Sequence, residues 1–81
     1  MKEGFYKVKG VKSEKGQHIL DMISNENGEP TQVGDTVHYR KVDFQCECDV
    51  CGKPTYWSLT NYYEGFVGPE CIKNLDLEKI R

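Results

Sequence analysis

Four cysteines stand out in this chain of 81 residues, because three of them fall within six consecutive positions. These three are Cys46, Cys48 and Cys51, and Cys71 follows twenty residues after Cys51. Four thiolates form the closed tetrahedral environment in which proteins hold structural zinc. Gly52 suits a tight turn after Cys51, because glycine adopts positive φ at little steric cost. The spacing therefore predicts a metal site with Cys48 and Cys51 in one turn.

The spacing differs from the common arrangement of two Cys-x-x-Cys pairs. Asn74 stands where a second cysteine would follow Cys71. Cys46 lies two residues before Cys48, so their side chains would share one face of an extended strand. We therefore expect Cys46 to be the third ligand and Cys71 to complete the set. Zinc and iron both fit four cysteines, and we interpret the metal as one structural zinc ion.

Disulfide bonds and free thiols are the alternative interpretation, because four cysteines also suit a short secreted scaffold. The first residues of the chain lack the apolar stretch of a signal peptide. Three cysteines within six residues also have poor geometry for disulfides. A redox Cys-x-x-Cys pair would be expected near a βαβ unit, which the pattern does not predict. We therefore favour the metal and expect a cytoplasmic protein.

Size and composition predict one small soluble protein. The chain has 37% hydrophobic and 30% charged residues, which is typical of a globular domain. A core this small often needs a disulfide or metal for stability. The formal net charge is −2, and four thiolates with one zinc ion would lower it to about −4. This acidic balance argues mildly against nucleic-acid binding, which depends on Lys and Arg.

The pattern of apolar residues and turns predicts an α+β fold. We expect residues 1–45 to form an antiparallel sheet, flat or curled into a half-barrel. Its predicted strands, separated by turn-forming segments, cover residues 5–12, 17–24 and 36–44. In the third strand the apolar face changes after Tyr39, which predicts either a β-bulge or a change of packing partner near Arg40 and Lys41.

Residues 46–81 are predicted to form a zinc finger, packed with the first part into one compact domain. A β-hairpin is expected from residue 55 to residue 67, after the turn that holds two cysteines. Pro69 is typical of a first helical turn, and Leu75 follows Cys71 by four residues. These positions predict a helix that carries Cys71 and continues toward the end of the chain.

A cysteine turn, a hairpin and a helix with a ligand in its first turn resemble a treble-clef zinc finger. The residues that carry the likeness are Cys48 and Cys51, the predicted hairpin, and Pro69 with Cys71. The likeness covers residues 46–77, and a zinc-ribbon-like variant is the second option. The chain is also similar to small zinc proteins of bacteria and their phages. The resemblance implies a structural zinc ion, but a fold does not select a function.

Catalysis is not expected at this site. A catalytic zinc ion keeps an open position for water, usually near a histidine or carboxylate that acts as base. Four thiolates would fill that position, and His18 and His38 lie in predicted strands outside the metal segment. We therefore expect neither an enzyme nor a small-molecule substrate.

Protein binding is the predicted function. A small acidic chain with a structural metal and no catalytic residues is most simply a non-enzymatic module that docks onto a protein partner. Tyr56, Tyr62 and Tyr63 lie on the predicted hairpin, and exposed tyrosines often anchor interfaces. We expect this side of the hairpin to contact the partner, with no membrane involved.

Nucleic-acid binding is the alternative function. Lys7, Lys9 and Lys12 lie near the first strand and could contact phosphates. The hairpin aromatics could stack on bases. Ordinary roles also explain both features, since lysines protect edge strands and aromatic residues fill small cores.

Overall fold

An antiparallel sheet of five strands forms most of the protein, as described for residues 1–81 by a computed structural model. The strands are β1 (Gly4–Val11), β2 (Thr36–Glu47), β3 (Pro54–Thr60), β4 (Glu64–Phe66) and β5 (Leu75–Lys79). Their order in the sheet is β4-β3-β2-β1-β5. Helix α1 (Glu14–Met22) follows β1, and a 3-10 turn (Cys71–Asn74) precedes β5. The predicted α+β class is confirmed.

Strand β2 lies at the centre of the sheet and contains a bulge. Lys41 opposes Trp57 on β3, and the next pair joins Cys46 to Thr55. Five steps along β2 thus match two steps along β3, so three extra residues bulge out of β2. The bulge lies where the change of apolar face predicts it.

The hydrophobic core contains residues of the sheet, of α1 and of the cysteine segments. Its buried members are Tyr6, Val8, Ile19, Leu20, Ile23, Val37, Tyr39, Cys48, Leu59, Val67, Cys71, Ile72 and Leu75. Tyr39 stacks on Trp57 with ring centroids 4.7 Å apart, and its hydroxyl donates to the Val67 carbonyl at 3.1 Å. Two cysteines are therefore part of the core itself.

The strand predicted at residues 17–24 is wrong, because residues 17–22 belong to α1 and Ile23 caps it. Ile19, Leu20 and Ile23 are fully or almost fully buried, and their spacing places them on one side of a helix. Gly16 favours a turn on sequence grounds, but it lies inside the helix. A Cβ atom there would overlap the Asn74 carbonyl oxygen, so glycine allows α1 to approach the 3-10 turn.

The helix predicted after Cys71 is also wrong. It is limited to the 3-10 turn, and the chain continues as β5. Leu75 and Leu77 alternate with acidic residues, which is the period of a strand. β5 pairs with β1, so the two ends of the sequence lie side by side in the sheet.

The predicted hairpin is confirmed, since β3 pairs with β4 through a short connection. The predicted parts 1–45 and 46–81 contribute to one sheet: β2 crosses the boundary between them, and β5 lies beside β1. No helix of the chain combines the length and the apolar character needed to cross a membrane.

Candidate metal centre

Three of the four cysteines meet at one point. The Sγ atoms of Cys48, Cys51 and Cys71 all lie within 4.8 Å of one another. In a tetrahedral zinc site with Zn–S bonds of about 2.3 Å, two sulfurs are about 3.8 Å apart. The cluster therefore has dimensions that one metal ion can bridge with small side-chain movements.

Cys48 and Cys51 are held by the turn that follows β2. The Gly52 N–H donates to the Cys48 carbonyl at 2.8 Å, and the Cys48 N–H donates to the Lys53 carbonyl at 2.8 Å. Gly52 has a φ of 78°. The positive φ expected for this glycine is confirmed, and it lets the chain reverse directly after the second thiol.

Asp49 joins this turn to β4. Its Oδ2 accepts the Phe66 N–H at 2.8 Å, and its own N–H donates to the Phe66 carbonyl at 2.8 Å. This role of Asp49 was not predicted from the sequence. No local sequence signal predicts this bond, because Asp49 and Phe66 lie 17 residues apart in the chain.

Cys71 is positioned by the 3-10 turn, and Asn74 fixes that turn. Asn74 Nδ2 donates to the Cys71 carbonyl at 2.9 Å, and Asn74 Oδ1 accepts the Ser13 hydroxyl at 2.6 Å. The Asn74 carbonyl accepts the Lys12 N–H at 2.8 Å. The residue in place of a second cysteine thus ties the third thiol to the start of α1.

Hydrogen bonds and burial act differently on the buried thiols. Burial raises the pKa of the Cys48 thiol, but backbone N–H groups of Gly68, Cys51 and Val50 more than offset it, so the net pKa is lowered. The Gly68 N–H lies 3.4 Å from the Cys48 Sγ. Burial and the two neighbouring cysteines raise the pKa of Cys71 to about 12. A metal ion would have to displace the proton of Cys71.

Cys46, the expected third ligand, is not brought into the cluster. Its Sγ lies 3.9 Å from the Phe44 carbonyl oxygen. Desolvation and the carboxylates of Glu64 and Asp49 raise the pKa of its thiol. β2 ends at Glu47, so the alternation that would place Cys46 and Cys48 on one face stops between them.

A cleft of about 370 Å³ opens beside the three thiols. It is lined by the three cysteines together with Lys15, Lys53, Pro54, Gly68, Pro69, Glu70 and Asn74. Lys15 comes from α1, and the packing of this helix against the 3-10 turn brings it to the cleft. The predicted site did not include Lys15, because this packing was not predicted. The site therefore combines a thiol cluster with a charged opening.

The three predicted contact tyrosines are all exposed, at 44%, 61% and 50% for Tyr56, Tyr62 and Tyr63. The rings of Tyr62 and Tyr63 meet edge to face, with centroids 5.1 Å apart. Their N–H groups both donate to the Ser24 carbonyl just beyond α1, at 3.3 and 3.2 Å. This pair thus projects from a fixed connection between β3 and β4.

The lysines considered for phosphate contact lie far from the tyrosine pair in the sheet order. Lys7 and Lys9 are exposed on one face of β1, and Lys12 follows the strand. Glu78 on β5 opposes Lys7 directly. The same face of β1 presents Phe5, which stacks on His38 with centroids 4.3 Å apart.

Comparison of the chain with protein-family models, with curated proteins and with solved structures finds no match. Its function is therefore argued from the site itself. The features that bear on function are the thiol cluster, the cleft beside it and the exposed aromatic residues.

Proposed function

We propose that this chain is a non-enzymatic interaction module, stabilised by one zinc ion that Cys48, Cys51 and Cys71 bind. The convergence of these three thiols, from segments twenty residues apart, is the observation that carries the proposal. The finger would be of the treble-clef kind, with its helix shortened to the 3-10 turn. A reducing compartment such as the cytoplasm would keep the thiols available.

The donor set supports zinc. Thiolates are ligands that zinc favours, and the hydrogen bond from the Gly68 N–H to Cys48 favours the thiolate form that a metal needs. Bound zinc would connect the end of β2 to the turn before β5, which adds a link across a core of only thirteen clustered residues. When bound, the ion would cross-link these segments, and the three cysteines would hold it in place.

Native mass spectrometry of the purified chain, with Cys71→Ser as the comparison, tests the metal. We expect one zinc ion per wild-type chain with all thiols reduced. The serine variant should lose most zinc binding, because a neutral hydroxyl replaces a thiolate ligand. A wild-type chain that remains metal-free in excess zinc, or that contains disulfides, would contradict the proposal.

The tyrosine pair supports docking onto a protein. Tyr62 and Tyr63 are 61% and 50% exposed, yet their backbone is held by Ser24. Rigid exposed tyrosines contribute large contact area at a low entropic cost, which is why they are common in binding hot spots. We include Tyr56 in the same contact surface because it lies on the preceding strand and is also exposed.

A double variant, Tyr62→Ala with Tyr63→Ala, tests this surface by quantitative affinity capture. Val33→Ala is the control, because it shortens an apolar side chain that is 63% exposed outside the hairpin. Proteins retained by the wild type and by the control should be lost from the double variant, while zinc content stays the same. Equal retention by all three proteins would show that the tyrosines do not form the contact.

Nucleic-acid binding is a second candidate, favoured by the face of the sheet that contains Phe5. Arg81 lies 5.4 Å above the Phe5 ring, and Lys7 and Lys9 project from the same face of β1. The basic side chains of this face could contact phosphates, while the Phe5 ring itself already packs against His38 and Arg81. Fluorescence anisotropy with a labelled single-stranded oligonucleotide tests it, because binding through phosphates must weaken steeply as salt rises.

A further inference from the structure

The three clustered thiols provide one ligand fewer than a tetrahedral zinc site requires. Cys46 does not line the cleft that Cys48, Cys51 and Cys71 share. The Asn74 side chain also lines it, but both of its polar atoms are already bonded within the chain, to Ser13 and to the Cys71 carbonyl. The fourth position of a metal bound here therefore has no committed ligand from these residues.

The opening beside the thiols carries two free positive charges. Lys15 and Lys53 both line the cleft, and neither forms an ion pair, since the chain has a single salt bridge between Arg40 and Glu64. Three thiolates, a divalent metal and the two lysines sum to a charge of about +1, and Glu70 lowers it to about zero. The metal and the two lysines thus offset the negative charge of the thiolates and of Glu70, so one anion of low charge can be added without strong repulsion.

We propose that the metal is bound with its fourth position open to this cleft, and that this position takes a carboxylate supplied from outside the chain. The inference rests on the proposed metal site and names the ligand class of that site. One carboxylate oxygen would coordinate the metal and the other would accept hydrogen bonds from Lys15 or Lys53. The cleft of about 370 Å³ lies within the size range of small-ligand sites.

A carboxylate fits the lysines and the local charge better than an imidazole or a phosphate does. A lysine ammonium group can only donate hydrogen bonds. A metal-bound imidazole would present another N–H donor toward it, so the two groups cannot form a hydrogen bond. A doubly charged phosphate would bring the local charge to about −2, whereas a carboxylate brings it only to about −1. A carboxylate brings a single charge and a free acceptor oxygen, and zinc accepts carboxylate oxygen at about 2.0–2.2 Å.

Cobalt-substituted protein provides the test, because the visible absorption of Co²⁺ reports its ligands and requires no enzymatic activity. We expect sodium acetate to cause a saturable spectral change. The double variant Lys15→Ala with Lys53→Ala should weaken acetate binding about tenfold, from about threefold for each exposed charge, with unchanged cobalt content. Lys41→Ala, an exposed lysine outside the cleft, should behave as wild type.

The source of the carboxylate is distinguished with a blocked peptide that contains one glutamate, and with the same peptide containing glutamine. Tighter binding of the glutamate peptide than of acetate indicates a protein partner. Equal or weaker binding indicates a small free carboxylate. The glutamine peptide should not change the spectrum in either case.

Three results would overturn the inference while leaving the metal site intact. The first is the absence of a spectral response to acetate. The second is loss of a thiolate-to-cobalt band in Cys46→Ser, which would identify Cys46 as the fourth ligand. The third is a changed cobalt spectrum in Glu70→Gln before any acetate is added, which would identify an internal carboxylate. Failure to bind cobalt or zinc at all would instead refute the proposed function.

Discussion

The close approach of α1 to the 3-10 turn leads to a prediction for Gly16→Ala. In an exposed helix, this replacement would stabilise by about 1 kcal/mol through helix propensity. Here the added Cβ would overlap the Asn74 carbonyl oxygen and lie 3.1 Å from the Asn74 carbonyl carbon and 3.3 Å from the Val11 Cβ. The atoms in the way are mostly backbone, so a side-chain rotation cannot relieve the contact.

The expected cost exceeds the propensity gain. Overpacking typically costs about 1–3 kcal/mol, and displacement of Asn74 would also weaken the 2.8 Å hydrogen bond from the Lys12 N–H, which is worth about 1 kcal/mol. We expect a net loss of about 1–3 kcal/mol in the free energy of unfolding. Because Asn74 belongs to the turn that carries Cys71, zinc affinity should fall about tenfold or more, as for other residues that position ligands.

Urea denaturation in the presence of a chelator measures the stability, and competition with a chromophoric chelator measures the zinc affinity. Gly10→Ala is the matched control, since a Cβ there meets nothing within 4 Å and the residue is not in the positive-φ region. It should change stability by less than about 0.5 kcal/mol. A Gly16→Ala variant as stable as wild type, or more stable, would refute the proposed packing of α1 on the turn.

Two further predictions concern the turn and the core. Asp49→Ala should cost about 1–2 kcal/mol in urea denaturation, because the Phe66 N–H loses its carboxylate acceptor; an unchanged midpoint would contradict that role. Burial raises the pKa of Tyr39 above its usual value. Above about pH 10 the unfolded chain loses this proton first, so stability should fall by up to about 1.4 kcal/mol per pH unit. Tyr39→Phe should show a shallower alkaline decline than wild type, and identical declines would exclude this cause.

Local features of the fold could be predicted from the sequence. The β3–β4 hairpin and the turn at Gly52 depend on residues close together in the chain, so their composition is enough to predict them. The bulge in β2 was one of two explanations predicted from the change of apolar face after Tyr39, and the register of β2 with β3 selects it over a change of packing partner.

The two wrong elements depend on distant contacts. α1 contains Gly16, whose small size has value only because Asn74 lies against it, and residue spacing alone does not show that contact. β5 pairs with β1, and this distant pairing selects the strand period of Leu75 and Leu77 over the predicted helix. Tertiary pairing overrides the helical signal that Pro69 provides.

For the candidate site as well, the local features were predicted and the features that depend on distant contacts were not. Thiol chemistry and the spacing of Cys48 and Cys51 predicted a cluster of thiols that includes Cys71 and that could hold a metal ion. The exclusion of Cys46 depends on where β2 ends, and the presence of Lys15 depends on where α1 packs. Both follow from tertiary structure, which explains why the sequence placed Cys46 with the other three thiols and did not predict the charge of the cleft.

The cluster joins the proposed metal to the stability of the fold. Cys48 and Cys71 are 3% and 7% exposed and belong to the hydrophobic core, whereas Cys51 is exposed. A ligand that binds only the folded state stabilises it in proportion to the logarithm of its concentration over its dissociation constant, about 4 kcal/mol at a thousandfold excess. Because two of the three thiols are core residues, loss of the metal would leave them packed but without the link between β2 and the turn before β5. The metal would therefore act on the same contacts that position the cleft and its lysines.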